Sequence, residues 1–181
     1  CQYGMSDVWK WGDSVNGSCW RTTNDITDTW ASVKGIALAQ DASADYAKPG
    51  NWNDPDMLVV GQVGWGNPHP SKLKPDEQYL HISLWSLFSA PLLIGCDMEK
   101  FDDFTLNLLT NDEVIDINQD PLGKQAKCVQ NIGDLRIYKK ELEDGGVAVG
   151  FCNFGLEVVN ISYKDFDKLG LSGKFNVRDL W

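Results

Sequence analysis

The chain has 181 residues, 43% of them hydrophobic and 23% charged, with a formal net charge of −10 and a pI near 4.5. This is the profile of a folded globular protein rather than a disordered one, and no apolar run approaches the ~18 residues of a membrane span. With no basic stripe to offset it, the acidic balance repels phosphate backbones and argues against nucleic acid as a partner, whereas a neutral sugar is tolerated.

The chain opens on Cys1 rather than methionine, and its last residues, "RDLW", stop in what reads as mid-strand, so both ends look cut. Residues 24–40 have the period of an amphipathic helix, with Ile26, Trp30, Val33 and Ala37 on one face. Thr22-x-x-Asp25 resembles a capping box at its start, and an acid in the first turn complements the helix dipole. Spacing alone leaves open whether Asp25 caps this helix or handles a proton, and whether Arg21 is more than a surface partner for it.

"KPGNWNDPD" follows as a stretch of turn formers, then "MLVVG" as a short buried strand, then a Gly/Pro-rich loop from Val63 to Pro75. "DEQYLHISLWSLFSA" is a helix apolar over much of its circumference, which predicts a place between two layers. Pro91 ends it, "LLIGC" reads as another buried strand, and "FDDFTLNLLTNDEVIDIN" holds at least one short helix. Alternating helices and strands are the rhythm of βα units around a parallel sheet.

After "NQDPLGKQ" the rhythm changes. "DLRIYKKEL", "GVAVGFCNF", "EVVNISYKDF" and "KFNVRDLW" read as short antiparallel strands separated by turns. The expected division is therefore a βα unit over residues 1–122 and an antiparallel β unit over 123–181, with the boundary near Gly123.

Five scattered cysteines form no zinc ribbon or CxxC site, and His69 and His81 sit in no metal-ligand spacing. Metal, cofactor and Ser-His-Asp chemistry all lack a motif. Carboxylates are what remain: Asp25 beside Arg21, and Asp54 and Asp56 flanking Pro55. Glycoside hydrolysis needs two carboxyl groups around one bond, and in a barrel such groups sit at the C-terminal ends of strands. Aspartate is also an ordinary turn residue, so a structural use of Asp54 and Asp56 stays open. Trp9, Trp11, Trp20, Trp52 and Trp65 lie in or beside these loops, and indole faces suit the C–H faces of sugars as well as they suit a core.

Taken together, "CQYG…VWKWG…WRTTNDI", "GNWNDPDMLVVG", "LWSLFSAPLLIGCDM" and "VIDINQDPLGKQ" resemble glycoside hydrolase family twenty-seven over nearly the whole chain. The resemblance implies an eight-stranded (β/α) TIM barrel followed by an antiparallel β-sandwich domain, here the C-terminal part of the barrel and an incomplete β domain. It implies a retaining glycosidase acting on terminal α-galactose, in a secreted, periplasmic or lysosome-like compartment and without a cofactor. The acid/base of the family falls on Asp25, and Arg21 falls on the arginine that holds the sugar 2-hydroxyl. Cys1, Tyr3, Asp56 and Met57 match positions that line the sugar pocket, and Trp52 and Asp54 match supports of that loop.

The family's nucleophilic aspartate belongs to an earlier barrel strand, and no such segment is present in these 181 residues. By the two-carboxylate route the isolated chain is therefore expected to be inactive. Rival readings are a sister activity on α-N-acetylgalactosamine or β-L-arabinopyranose, and a non-catalytic carbohydrate-binding fragment. An acetamido group at C2 would be crowded by Cys1 and its neighbours, which favours galactose. Cys96, Cys128 and Cys152 are expected to be small buried hydrophobes.

Overall fold

Two three-residue strands, β1 (Cys19–Arg21) and β2 (Trp52–Asp54), run parallel with Trp20 opposite Asn53 and Arg21 opposite Asp54. The computed structural model in which they are seen describes residues 5–64 and 66–181. Each strand is too short to show an alternating pattern, so neither was visible in the sequence. A parallel pair needs a crossover, and helix α1 (Trp30–Ala39) with its 3-10 continuation over Gln40–Tyr46 supplies it.

Helix α1 begins later than the predicted residue 24. Its N-cap is Thr29, whose hydroxyl accepts from the Ser32 N–H at 3.4 Å. Residues 22–29 stay in a loop because their polar groups have tertiary partners: Ile26 N–H donates to Asp56 at 2.8 Å, and the Asp28 carboxylate accepts from Lys72. These bonds replace a first helical turn. The Thr22–Asp25 capping box therefore does not form. Val33, Ile36 and Ala37 face the core, and Trp30 stacks on Phe154 with ring centres 5.9 Å apart.

The runs "MLVVG" and "LLIGC" do lie side by side in parallel, joined through the bridge between Leu58 and Ile94 rather than as regular strands. Leu58 N–H donates to Leu93 O at 2.8 Å and Gly95 N–H to Leu58 O at 3.0 Å. Gly95 is required there, since a Cβ would lie 2.4 Å from Met57 Sδ and 2.8 Å from Leu58 O. A short antiparallel hairpin follows the first run, with β3 (Gln62–Val63) paired to β4 (His69–Pro70).

Helix α2 (Pro75–Leu87) is started by Pro75 in its first turn and by Glu77, which accepts from the Lys74 N–H at 2.8 Å. It is sandwiched as its pattern predicts. On one side His81 Nε2 accepts from Val59 N–H at 3.2 Å and Trp85 Nε1–H donates to Asp56 O at 2.7 Å. On the other side Phe88, just past its end, meets Tyr138 edge to face, and Ala126 N–H donates to Leu87 O. Two short helices follow, α3 (Asp103–Leu109) capped by Asp102 and α4 (Asp112–Asn118) capped by Asn111. Among the described residues, no helix is long and apolar enough to cross a membrane.

The antiparallel sheet is β5 (Lys127–Ile132), β6 (Leu135–Glu141) and β7 (Val147–Asn153), in that spatial order. Its inner face carries one unexpected residue. Lys140 is buried, with its ammonium on Ser89 Oγ at 2.6 Å and on the Ile117 carbonyl, and burial pushes the amine down to about 8. The strands expected from "EVVNISYKDF" and "KFNVRDLW" do not form. That segment has a single 3-10 turn, Phe166–Leu169, and finds no ladder partner among the described residues. Aromatic contacts hold it instead, edge to face from Phe151 through Tyr163 to Phe166 and tilted from Phe166 to Phe175, together with Trp181 Nε1–H on Ser83 Oγ at 2.9 Å.

Candidate active site

The parallel pairing of β1 and β2 brings Arg21 and Asp54 level at the C-terminal ends of adjacent strands, with Asp25 and Asp56 in the loops just beyond. Arg21 Nη2 lies 2.7 Å from Asp56 Oδ2 and 3.3 Å from Asp25 Oδ1, so one guanidinium nitrogen joins both loops. Its side chain is 19% exposed, that of Asp56 7% and that of Asp25 69%. The first contact is thus nearly desolvated and the second opens to water.

Asp56 is fixed from every side. Its Oδ2 also accepts from Ile26 N–H, its Oδ1 accepts from Met57 N–H at 2.8 Å, and its carbonyl is held by Trp85. Its φ is +82°, a left-handed conformation that aspartate tolerates better than most residues. The turn is set by Asp54, whose Oδ1 accepts from Asp56 N–H at 2.8 Å. Burial raises the Asp54 carboxyl above its usual range, partly opposed by that N–H and by Arg21. Asp54 supports the loop and does not line the cleft.

The cleft has a volume of about 500 Å³, within the range of a small-molecule pocket. Arg21, Asp25, Asp56 and Met57, four of the six residues expected at the site, line it together. Cys1 and Tyr3 lie outside the described residues, as does Trp65. The expected aromatic wall is not built by the other tryptophans. Trp20 is buried beneath the strands, donating to Asn53 Oδ1 at 2.7 Å, and Trp9, Trp11 and Trp52 do not reach the cleft.

Sequence reasoning missed the far wall, where Asp28 and His69 stand with Val63 and Gly64. His69 Nε2 is 3.1 Å from Asp28 Oδ2, and Lys72 reaches the same carboxylate through its backbone N–H and its ammonium. Burial alone would raise the Asp28 carboxyl, but these three donors more than reverse it and hold it below the usual range. The sequence places His69 in neither a metal-ligand spacing nor a Ser-His-Asp motif, so it offers no role for this residue. The signal available was the aspartate three positions after Asp25, which carries no meaning until the hairpin folds back.

A second missed feature is the polar network behind the strands. Asn53 Nδ2 donates to Ser43 O and Gln125 Oε1, and Gln125 Nε2 donates to Gln40 O, all at 2.9 Å or less and all buried. It ties the strand ends to the chain leading into β5. Burial also raises the thiols of Cys96, Cys128 and Cys152, the last to about 12.

The arrangement is a carboxylate pair of unequal freedom around one cation in a cleft at parallel strand ends. Known proteins resemble the chain in sequence and fold. The family model described as "Alpha galactosidase A" matches residues 10–120, and that of the "Alpha galactosidase C-terminal beta sandwich domain" matches 132–181. "Alpha-galactosidase 2" of Arabidopsis thaliana is 43% identical over the whole of this chain, and an α-galactosidase of Cyamopsis tetragonoloba 42%. The chain spans 44% and 42% of the lengths of these two relatives.

Among solved structures, a family twenty-seven β-L-arabinopyranosidase of Geobacillus stearothermophilus superposes with a TM-score of 0.69 at 29% identity, over 74% of this chain and 32% of that one. The Saccharomyces cerevisiae α-galactosidase with raffinose gives 0.75 over 84% of this chain and 39% of its own, at 24% identity, a likeness of fold alone. The fold is accordingly a C-terminal part of a (β/α) TIM barrel followed by antiparallel β structure. The chain belongs to glycoside hydrolase family twenty-seven, the α-galactosidase A family.

Proposed function

We propose that these residues form the acid/base half of a retaining α-galactosidase site, within a chain divided into a barrel unit over 1–122 and a β unit over 123–181. The supporting observation is the Arg21 nitrogen shared between a buried, immobilised Asp56 and an exposed Asp25. Asp56 and Arg21 are the sugar-binding elements, joined by Met57 and by Cys1 and Tyr3. Asp25 protonates the glycosidic oxygen as the bond to the aglycone breaks, then takes a proton from the water that releases the sugar. The nucleophile comes from another strand end of the barrel. α-Galactosidase relatives at 43% and 42% identity support galactose as the sugar. The triplets Asn16-Gly17-Ser18 and Asn160-Ile161-Ser162 have the N-x-S pattern of glycosylation acceptors, and both asparagines are exposed, which suits a secretory or lysosome-like route.

The test is hydrolysis of an aryl α-galactoside by the 181-residue chain, by the chain with a complete barrel, and by the latter with Asp25→Asn. We expect turnover only from the complete barrel with Asp25 intact. Turnover by the 181 residues alone would make Asp56 the second carboxylate and overturn the division of roles. Galactose binding without turnover in every case would favour the non-catalytic reading.

A further inference from the structure

We propose that the β3–β4 hairpin is a latch that positions the acid/base loop: His69 and Lys72 grip Asp28 and so hold Asp25 in reach of the leaving group. This rests on Asp25 being the acid/base.

The loop from Thr22 to Thr29 has little structure of its own. At its start Thr22 N–H donates to Asp54 O at 3.0 Å and the Thr22 hydroxyl reaches Gln40 Oε1 at 2.9 Å. Beyond Asp25, whose own contact is Arg21 at 3.3 Å, the described residues pin the loop at Ile26, by Asp56, and at Asp28, by the hairpin. Asp25 lies one residue before the first pin and three before the second. Thr27 N–H goes to Ser32 Oγ at 3.0 Å, inside the same loop–helix corner, and adds no tie to the strand ends. Beyond Ile26, the Asp28 contact is therefore what ties this corner to the cleft wall.

The hairpin is the rigid partner. Two-residue strands are marginal by themselves, but their base is bolted to the barrel wall. Ser71 N–H donates to Gly61 O and Ser71 Oγ–H to Val59 O, both at 2.7 Å, and Asp97 N–H donates to Gln62 O at 2.8 Å. His69 is itself oriented, with Nδ1 3.0 Å from the Asn67 carbonyl. Gly64, at φ +103°, lets the hairpin close on this ring, since a Cβ there would lie 2.6 Å from Asn67 O and 2.9 Å from His69 Nδ1. The Asp28 carboxylate, 11% exposed, receives donors on both oxygens, so the grip is directional. Asp28 and His69 are positioning residues; neither is placed on the reacting bond.

The readout is dependence on the leaving group. An acid out of position matters for an aglycone that needs a proton and little for one that leaves unaided. We would measure kcat/KM of the complete-barrel enzyme on methyl α-galactoside and on 2,4-dinitrophenyl α-galactoside. Asp28→Asn and His69→Ala are expected to lose roughly 10–100-fold on the methyl glycoside and no more than a few-fold on the dinitrophenyl one. His69→Gln, which keeps a donor toward Asp28, should recover part of the loss. Equal losses on the two substrates, or none, would overturn the latch.

If Asp28→Asn fails to fold, the two His69 variants decide alone. Asp25→Asn on the same substrates separates the two readings. Without a leaving-group effect in Asp25→Asn, the acid/base assignment itself fails. With one there but none in the Asp28 and His69 variants, only the latch fails.

Discussion

The loops after β1 and β2 each bring an aspartate to the same guanidinium nitrogen, yet they are built in opposite ways. Asp56 sits in a left-handed turn with its carboxylate and carbonyl fully engaged, and is 7% exposed; Asp25 is held among the described residues by one contact, of 3.3 Å, and is 69% exposed. A carboxylate that must hold a substrate benefits from being fixed, because its rotamer entropy is spent during folding rather than binding. One that must give and take protons needs access to the leaving group and to water. The difference supports the separate roles proposed for the two aspartates, which residue type alone leaves equal.

The largest test of that contrast is Asp25→Asn in the complete-barrel enzyme. Turnover of unactivated galactosides should fall about 10²–10⁴-fold, while the melting temperature barely moves, since an exposed side chain is removed. A large loss of stability would erase the distinction between the two loops.

Asp56→Ala should do the reverse in kind. It removes the shorter of the two carboxylate contacts of Arg21 Nη2, takes the acceptor from Ile26 N–H and Met57 N–H, and leaves alanine at φ +82°. We expect a cost of about 3 kcal/mol in urea unfolding. Asp56→Asn, which keeps an acceptor and tolerates that backbone, should recover part of it.

Acid should sharpen the comparison next. His81 braces the Val59 N–H directly behind the Asp56–Met57 turn, and burial pushes its imidazole down to about 3. The unfolded chain takes up this proton near 6.5, before the folded one. Stability from this group is thus whole above pH 6.5 and is lost as pH falls toward 3, by about 1.4 kcal/mol per unit. Unfolding midpoints at pH 7, 6 and 5 should show this slope, and His81→Gln should flatten it.

The smallest effect separates the loop from the helix behind it. Thr29→Ala should destabilise by about 0.5–1 kcal/mol through the lost N-cap, whereas Thr22→Ala should leave α1 intact because Thr22 does not cap it. Matching helical losses in both would restore the capping box predicted from the sequence.

Part of the succession of elements is legible in the sequence. Helix α2, the runs at 57–61 and 92–96, and strands β6 and β7 were legible because apolar spacing records which side of an element is buried. Long motifs in order were enough to pick out the family, and within it Arg21, Asp25, Asp56 and Met57, which the fold brings to one cleft. The remainder concerns residues whose partners are distant in the chain.

Helix α1 starts at Trp30 because Asp56 and Lys72 take the polar groups of residues 26–28. Trp20 is a buried support because Asn53 comes to meet its indole across the parallel pair. Lys140 is buried in a strand where the pattern predicts nothing ionic, because Ser89 and the Ile117 carbonyl wait for its ammonium. The His69–Asp28 grip spans 41 positions and leaves no local trace. Periodicity encodes burial along one element, but a hydrogen bond between elements is written in two places that only folding brings together.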